Sequence, residues 1–181
     1  MKKAILILSL VITTGSLFAQ KKISTSAIVS FDASTSLDNL PKADNKTVVA
    51  VIDIKTGSVA FEANVKNFAF ANPMMQEHFN GQNWLHSDAH PTFTFKGNIV
   101  NVTSVDFSKD GSYKTEVEGL LGIKGKEQKI KVPGTIVVKG ENLMVSANFS
   151  ISLADYGISG APIEAGKVAK EPKVSISAEL K

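Results

Sequence analysis

Past its first twenty residues the chain alternates between apolar and polar positions. Over Thr47 to Ile54, "TVVAVIDI", Val48, Ala50, Ile52 and Ile54 share one face. Successive side chains of a strand point to opposite sides, so this is a strand with one buried face. "KTGS", Lys55 to Ser58, reads as a turn with glycine where a positive φ is needed. In "VAFEANVKNF", Val59, Phe61, Ala63 and Val65 fall on one face, and Ala60, Glu62, Asn64 and Lys66 on the other. The two runs predict a hairpin with a dry side and a wet side.

The pattern recurs downstream. Phe93, Phe95 and Ile99 alternate with Thr94, Lys96 and Asn98. After a turn at "SKDGS", Tyr113, Thr115, Val117, Gly119, Leu121 and Ile123 share a face, with Lys114, Glu116 and Glu118 turned outward. "GKE" turns the chain into Ile130, Val132, Gly134, Ile136 and Val138, and "KGEN" into Leu143, Val145, Ala147, Phe149 and Ile151. The last strand is "KVSISAEL", with Val174, Ile176, Ala178 and Leu180 inward. An early strand over Thr25 to Phe31 turns Ala27, Val29 and Phe31 inward.

About eight sequential strands with short glycine-bearing turns predict an all-β, antiparallel architecture. One-faced strands must bury that face in a sandwich or a closed barrel. A meander of eight closes naturally into a barrel and so removes its edges. The inward set mixes small residues (Ala27, Ala50, Ala63, Gly119, Gly134, Ala147, Ala178) with large ones (Phe31, Phe61, Phe93, Phe95, Phe149). Periodicity alone leaves a cavity and an interdigitated core standing equally.

One stretch breaks the β pattern. "NPMMQEHFN" has Asn72 to cap a helix and Pro73 in its first turn, with Met74, Met75, His78 and Phe79 at helical spacing and Gly81 to stop it. A short helix over Pro73 to Phe79 follows. Its apolar face must lie on the barrel, and methionine suits a surface that meets irregular apolar ligands.

Composition narrows the classes. "MKKAILILSLVITTGSLFA" has a positive start, a short apolar run and a small-residue end. That is a secretory signal peptide, residues 1–19, too short to span a bilayer. Residues 20–181 then form one domain that is periplasmic or secreted. With no cysteine there are no disulfides, thiolate metal sites or lipid-bearing N-terminal cysteine. The net charge is +3, every basic residue is lysine, and two lysines lie in the leader. Near-neutral charge without arginine argues against nucleic-acid binding.

Candidate chemistry is sparse. His86 and His90 stand four apart, near Asp88 and Glu77, but Pro91 disfavours a helix there and no HExxH is present. Structural or surface histidines are the simpler reading, with a metal-dependent enzyme using His78, His86 and His90 as the alternative. No nucleophile–base pair is apparent. Gly157 and Gly160 match no phosphate-cradling motif, and Lys124/Lys126 and Lys129/Lys131 read as solvated faces.

The segments "GSVAFEANVKNFAFANPMMQEHFN", "SDAHPTFTFKGNI", "YKTEVEGLLGIKGKEQKIKVP" and "FSISLADYGI" together resemble the YceI-like family of exported lipocalin-like proteins, in the form common in Bacteroidetes. The likeness runs from about Lys22 to Lys181. It implies a long antiparallel β-barrel with a helix near the middle of the chain. It also implies a non-enzymatic protein whose interior holds a polyisoprenoid, a quinone tail or a fatty-acid derivative. Many relatives carry an arginine before the aspartate-aromatic-glycine corner; "SLADYG", Ser152 to Gly157, has none, so no head-group role transfers.

On that reading Val29, Phe31, Ile52, Phe61, Phe93, Phe95, Val117, Leu121, Ile136 and Phe149 line the cavity. Met74, Met75, Phe79 and Trp84 border its mouth. The expected partner is an apolar small molecule. No cofactor is expected beyond a bound isoprenoid or acyl lipid, and no nucleic acid; transient membrane contact and a monomer or a dimer are compatible with the chain. A filled, non-binding barrel is the rival.

Overall fold

A computed structural model describes residues 20–181; the expected signal peptide, residues 1–19, lies outside the described residues. The strands are β1 (Lys21–Asp32), β2 (Lys42–Asp53), β3 (Ser58–Asn64), β4 (Ala69–Phe70), β5 (Thr92–Ile99), β6 (Gly111–Ile123), β7 (Lys126–Lys139), β8 (Asn142–Ser150) and β9 (Lys173–Leu180). Helix α1 (Pro73–Asn80) follows β4, and a single turn, α2 (Ala161–Glu164), precedes β9.

The hydrogen-bonded order is β1-β9-β8-β7-β6-β5-β3-β2, and β1 also pairs with β2, so the sheet closes on itself. Every pairing is antiparallel. Eight strands make the closed antiparallel barrel that the alternation predicted, and that the resemblance implied in lipocalin-like form. The two residues of β4 extend β2 as a ninth, marginal strand. Inside, Val48, Ala50, Ile52, Ile136, Val138, Leu143 and Leu180 are all but fully buried. Outside, Glu116 pairs with Lys131 and Glu118 with Lys129 across β6 and β7. That is the solvated lysine face the alternation implied.

Three boundaries differ from the sequence reading, each for a physical reason. β2 begins at Lys42 rather than Thr47, because Asn45 occupies an inward position and breaks the apolar pattern. Its fully buried amide donates to Asn64 O (2.9 Å) and accepts from Thr47 N (2.9 Å). β1 begins at Lys21, and its register against β2 shifts between Ser24 and Ala27 and again before Val29. Such bulges interrupt strict alternation. β3 stops at Asn64, and Val65 opens a 3-10 turn, Val65–Asn67, capped by Asn64.

Helix α1 has the caps its sequence supplies. The Asn72 side chain accepts from Met74 N (2.9 Å), Pro73 sits in the first turn, and Gly81 N donates to His78 O (3.1 Å). Gly57 turns β2 into β3 with φ +75°, as the "KTGS" turn required. β7 pairs with β8 only from Gly134 to Lys139. Pro133, which has no N–H to donate, sits where that ladder ends. Beyond it a 3-10 turn, Leu153–Tyr156, takes the neighbouring place, and Gln128 Nε2 donates to Asp155 O (2.9 Å). Among the described residues no helix is long and apolar enough to cross a membrane.

Candidate ligand-binding cavity

The inward alternation puts a phenylalanine or branched aliphatic at most second positions of the strands, yet many of these side chains are not fully buried. Val29, Phe31, Phe61, Phe93, Phe95, Val117, Leu121 and Phe149 point inward but remain only part-buried, unlike their neighbours Val48 and Ile136. A packed interior leaves few voids larger than a water molecule. Part-exposure inside a closed barrel therefore means an unfilled lumen.

That lumen has two lobes. The first spans about 790 Å³ of space between protein atoms, part of it open to solvent. It lies toward the barrel end covered by α1, Trp84–Leu85 and the segment running from Ile151 to Ile158. The second, about 620 Å³ by the same measure, lies among Ile52, Val59, Ile99, Val132 and Ile136. Among the described residues no charged side chain lines either lobe, and the only hydroxyl-bearing ones that do are Thr94 in the first and Thr115, Thr135 and Ser146 in the second.

The structure distributes the predicted site residues as follows. Val29, Phe31, Phe61, Phe79, Trp84, Phe93, Phe95, Leu121 and Phe149 line the first lobe. Ile52, Val117 and Ile136 line the second. Met74 and Met75 line neither, which departs from their expected place at the mouth. Met74 is 64% exposed, and Phe79 is the one buried residue of α1. An eight-residue helix docked through one face turns its second residue to solvent, whereas its seventh reaches the barrel. Phe79 does so through Phe70, Phe68 and Phe31, at ring-centroid separations of 4.8, 5.8 and 6.0 Å.

Sequence reasoning left out several lining residues. Ile151, Val174 and Ile176 belong to the same inward alternation and were legible from it. Phe68, Leu85, Leu153 and Ile158 lie outside the barrel strands, where no period marks them. Tyr156 is almost wholly buried in the turn beside Leu153 without lining the lumen. Burial, and after it the neighbouring Asp155 carboxylate, pushes its phenol up to about 12.

The histidines do not converge on a metal-binding arrangement. Among the described residues no three His, Asp or Glu side chains stand close enough to hold an ion. His86 and His90 contact edge to face at 6.1 Å. The His90 ring covers Gly125, its Cε1 2.9 Å from where a Cβ would be, and Asp88 is engaged by Lys66 (2.6 Å).

A family model described as a YceI-like domain matches residues 19–180, nearly the whole chain. The chain belongs to the YceI-like family. No curated protein sequence matches it. Among solved structures, this YceI-like barrel is similar to a polyisoprenoid binding domain from Saccharophagus degradans, at 12% identity over 90% of this chain and 98% of that one, with TM-score 0.75. It is also similar to BcnA of Burkholderia cenocepacia, at 20% identity over 91% and 98%, TM-score 0.65. The YCEI protein of Campylobacter jejuni is a third, at 17% identity over 79% and 84%, TM-score 0.53. At these identities the likeness concerns the YceI-like fold.

Proposed function

We propose that this YceI-like protein is an exported, non-enzymatic carrier that holds one long apolar chain inside the barrel, for transport, storage or sequestration. The chain is a polyisoprenoid, a quinone tail or a fatty-acid derivative. The observation that carries the reading is the lumen itself: two adjoining lobes walled by apolar side chains and free of charged ones. A site built this way places no charged acid or base beside its few hydroxyls to activate them, and it rewards length. Each buried methylene contributes about 0.8 kcal/mol. Neighbouring chain lengths are discriminated weakly, because about 0.8 kcal/mol is only about a fourfold change in affinity. Export rests on the leader sequence, and places the protein in the periplasm or outside the cell.

Trp84 lines the first lobe and is the single tryptophan, so its fluorescence reports on occupancy. Titration of delipidated protein with prenyl alcohols and fatty acids tests the proposal. Saturable spectral change accompanied by a higher melting temperature is the expected result. A ligand at a hundred times its Kd stabilises by about 2.7 kcal/mol. A barrel that responds to none of these chains is a filled or structural one, and the proposal fails.

A further inference from the structure

The two lobes share five lining residues: Phe61, Phe95, Leu121, Phe149 and Ile176. Three of them form a row across adjacent strands, with Phe61 of β3 paired with Phe95 of β5, and Phe95 paired with Leu121 of β6. Phe149 and Ile176 come from β8 and β9, elsewhere around the closed sheet. The lobes therefore meet at a collar of apolar side chains drawn from five strands.

Beside Phe95 the wall is bare. Gly97 and Gly119 are direct partners across β5 and β6, and both fall on the inward alternation. A Cβ placed on either would lie 2.8 Å from Phe95 Cζ. Carbon atoms settle at about 3.5–4.0 Å, so the tip of the ring occupies the volume both missing side chains would need. The ring is seated on the wall. A side chain at either glycine would lift it toward the middle of the collar. Backbone crowds both positions as well, Glu118 O being the atom nearest a Cβ on Gly97 and Lys96 O the atom nearest one on Gly119, so close strand approach and the ring together account for two glycines in the interior of paired strands.

We propose that this collar determines chain-length specificity: with the Phe95 ring seated on the Gly97–Gly119 pair it stays open, so that a single long chain threads both lobes, while a short chain occupies one. The inference rests on the lipid-chain reading above and adds a ruler to it. Beyond the capacity of one lobe, affinity rises with chain length only if the collar is passable.

The test compares the short prenyl alcohol farnesol with the long one solanesol, by displacement of a fluorescent acyl-chain probe from the delipidated mature protein. Its readout is the ratio of their dissociation constants, with each variant's fold checked by circular dichroism. A Cβ on Gly119 would clash with Lys96 O and one on Gly97 with Glu118 O, so glycine variants strain the backbone and are not the primary probe. Leu121→Trp fills the collar from the neighbouring strand, and Phe149→Trp fills it from β8 should the first variant not fold. The expected result is that solanesol loses at least about tenfold relative to farnesol, equivalent to one or two methylenes turned away. Phe95→Ala, which widens the collar, keeps the solanesol advantage. An unchanged ratio in both tryptophan variants, or an equal collapse in Phe95→Ala, overturns the proposal while leaving lipid binding standing. Failure of the unmodified protein to bind either alcohol overturns both.

Discussion

Replacing Phe79 with alanine asks whether the cover of the first lobe hangs on one side chain. An isolated helix of eight residues is not stable in water, where about 12–15 residues are needed. Helix α1 has good caps but buries only Phe79, which is 6% exposed. Its ring meets Phe70, Phe68 and Phe31 in tilted geometry, with interplanar angles of 52° to 58°. Truncating a buried phenylalanine to alanine costs about 3–5 kcal/mol. For a domain of this size, each kcal/mol lowers the melting temperature by about 2–4 °C, which predicts a drop of about 6–20 °C. The loss of a close aromatic pair, worth about 0.5–1.5 kcal/mol, should appear as coupling between Phe70→Ala and Phe79→Ala. Urea unfolding of the single and double variants measures both quantities. Met74→Ala on the same helix is the control and should stay within about 0.5 kcal/mol of the parent, since Met74 is mostly exposed. A Phe79→Ala loss below about 1 kcal/mol, or one matched by Met74→Ala, would refute the view that this ring docks the helix.

Three further predictions follow from other parts of the barrel. Asn45→Ala leaves Asn64 O and Thr47 N without their side-chain partner inside the wall, and should cost about 1–3 kcal/mol in urea unfolding. Tyr156 is held neutral by burial and then by Asp155, with its folded value raised to about 12. Its stabilisation is complete below pH 10 and disappears as pH climbs toward 12, so Tyr156→Phe should lose less stability over that window than the parent, as read by alkaline unfolding. Lys129→Gln breaks the exposed pair with Glu118 and should shift stability by less than about 1 kcal/mol, with chain binding unchanged in the fluorescence titration.

The barrel was legible in the sequence because one-faced strands announce themselves with a period of two, and six of the eight long strands keep that period almost without interruption. The places that escaped have identifiable causes. Asn45 is polar and inward, so it concealed the first half of β2. The register shifts in β1 moved its alternation out of phase near Ser24. Within the cavity, strand residues such as Phe61 and Phe149 could be assigned by counting along the chain, whereas Phe68, Leu85 and Ile158 reach it from turns and loops, which carry no period. Met74 shows the opposite error: residue type suggested ligand contact, but the docking of α1 through Phe79 turns it to solvent, while Met75, four residues before Phe79, is part-buried without lining either lobe. Most informative were Gly97 and Gly119. Each alone reads as a weak spot in a strand, and only the register places them opposite one another beneath the Phe95 ring.

The central claim is that the lumen is occupied by a long apolar chain. Protein purified from its native host without detergent, extracted with organic solvent and examined by mass spectrometry alongside intact-protein native spectra, tests it most directly. The account predicts a stoichiometric prenyl- or acyl-chain lipid, lost on delipidation and regained on incubation with the same lipid. Repeated extracts free of any such chain, from protein that also takes none up, would contradict it.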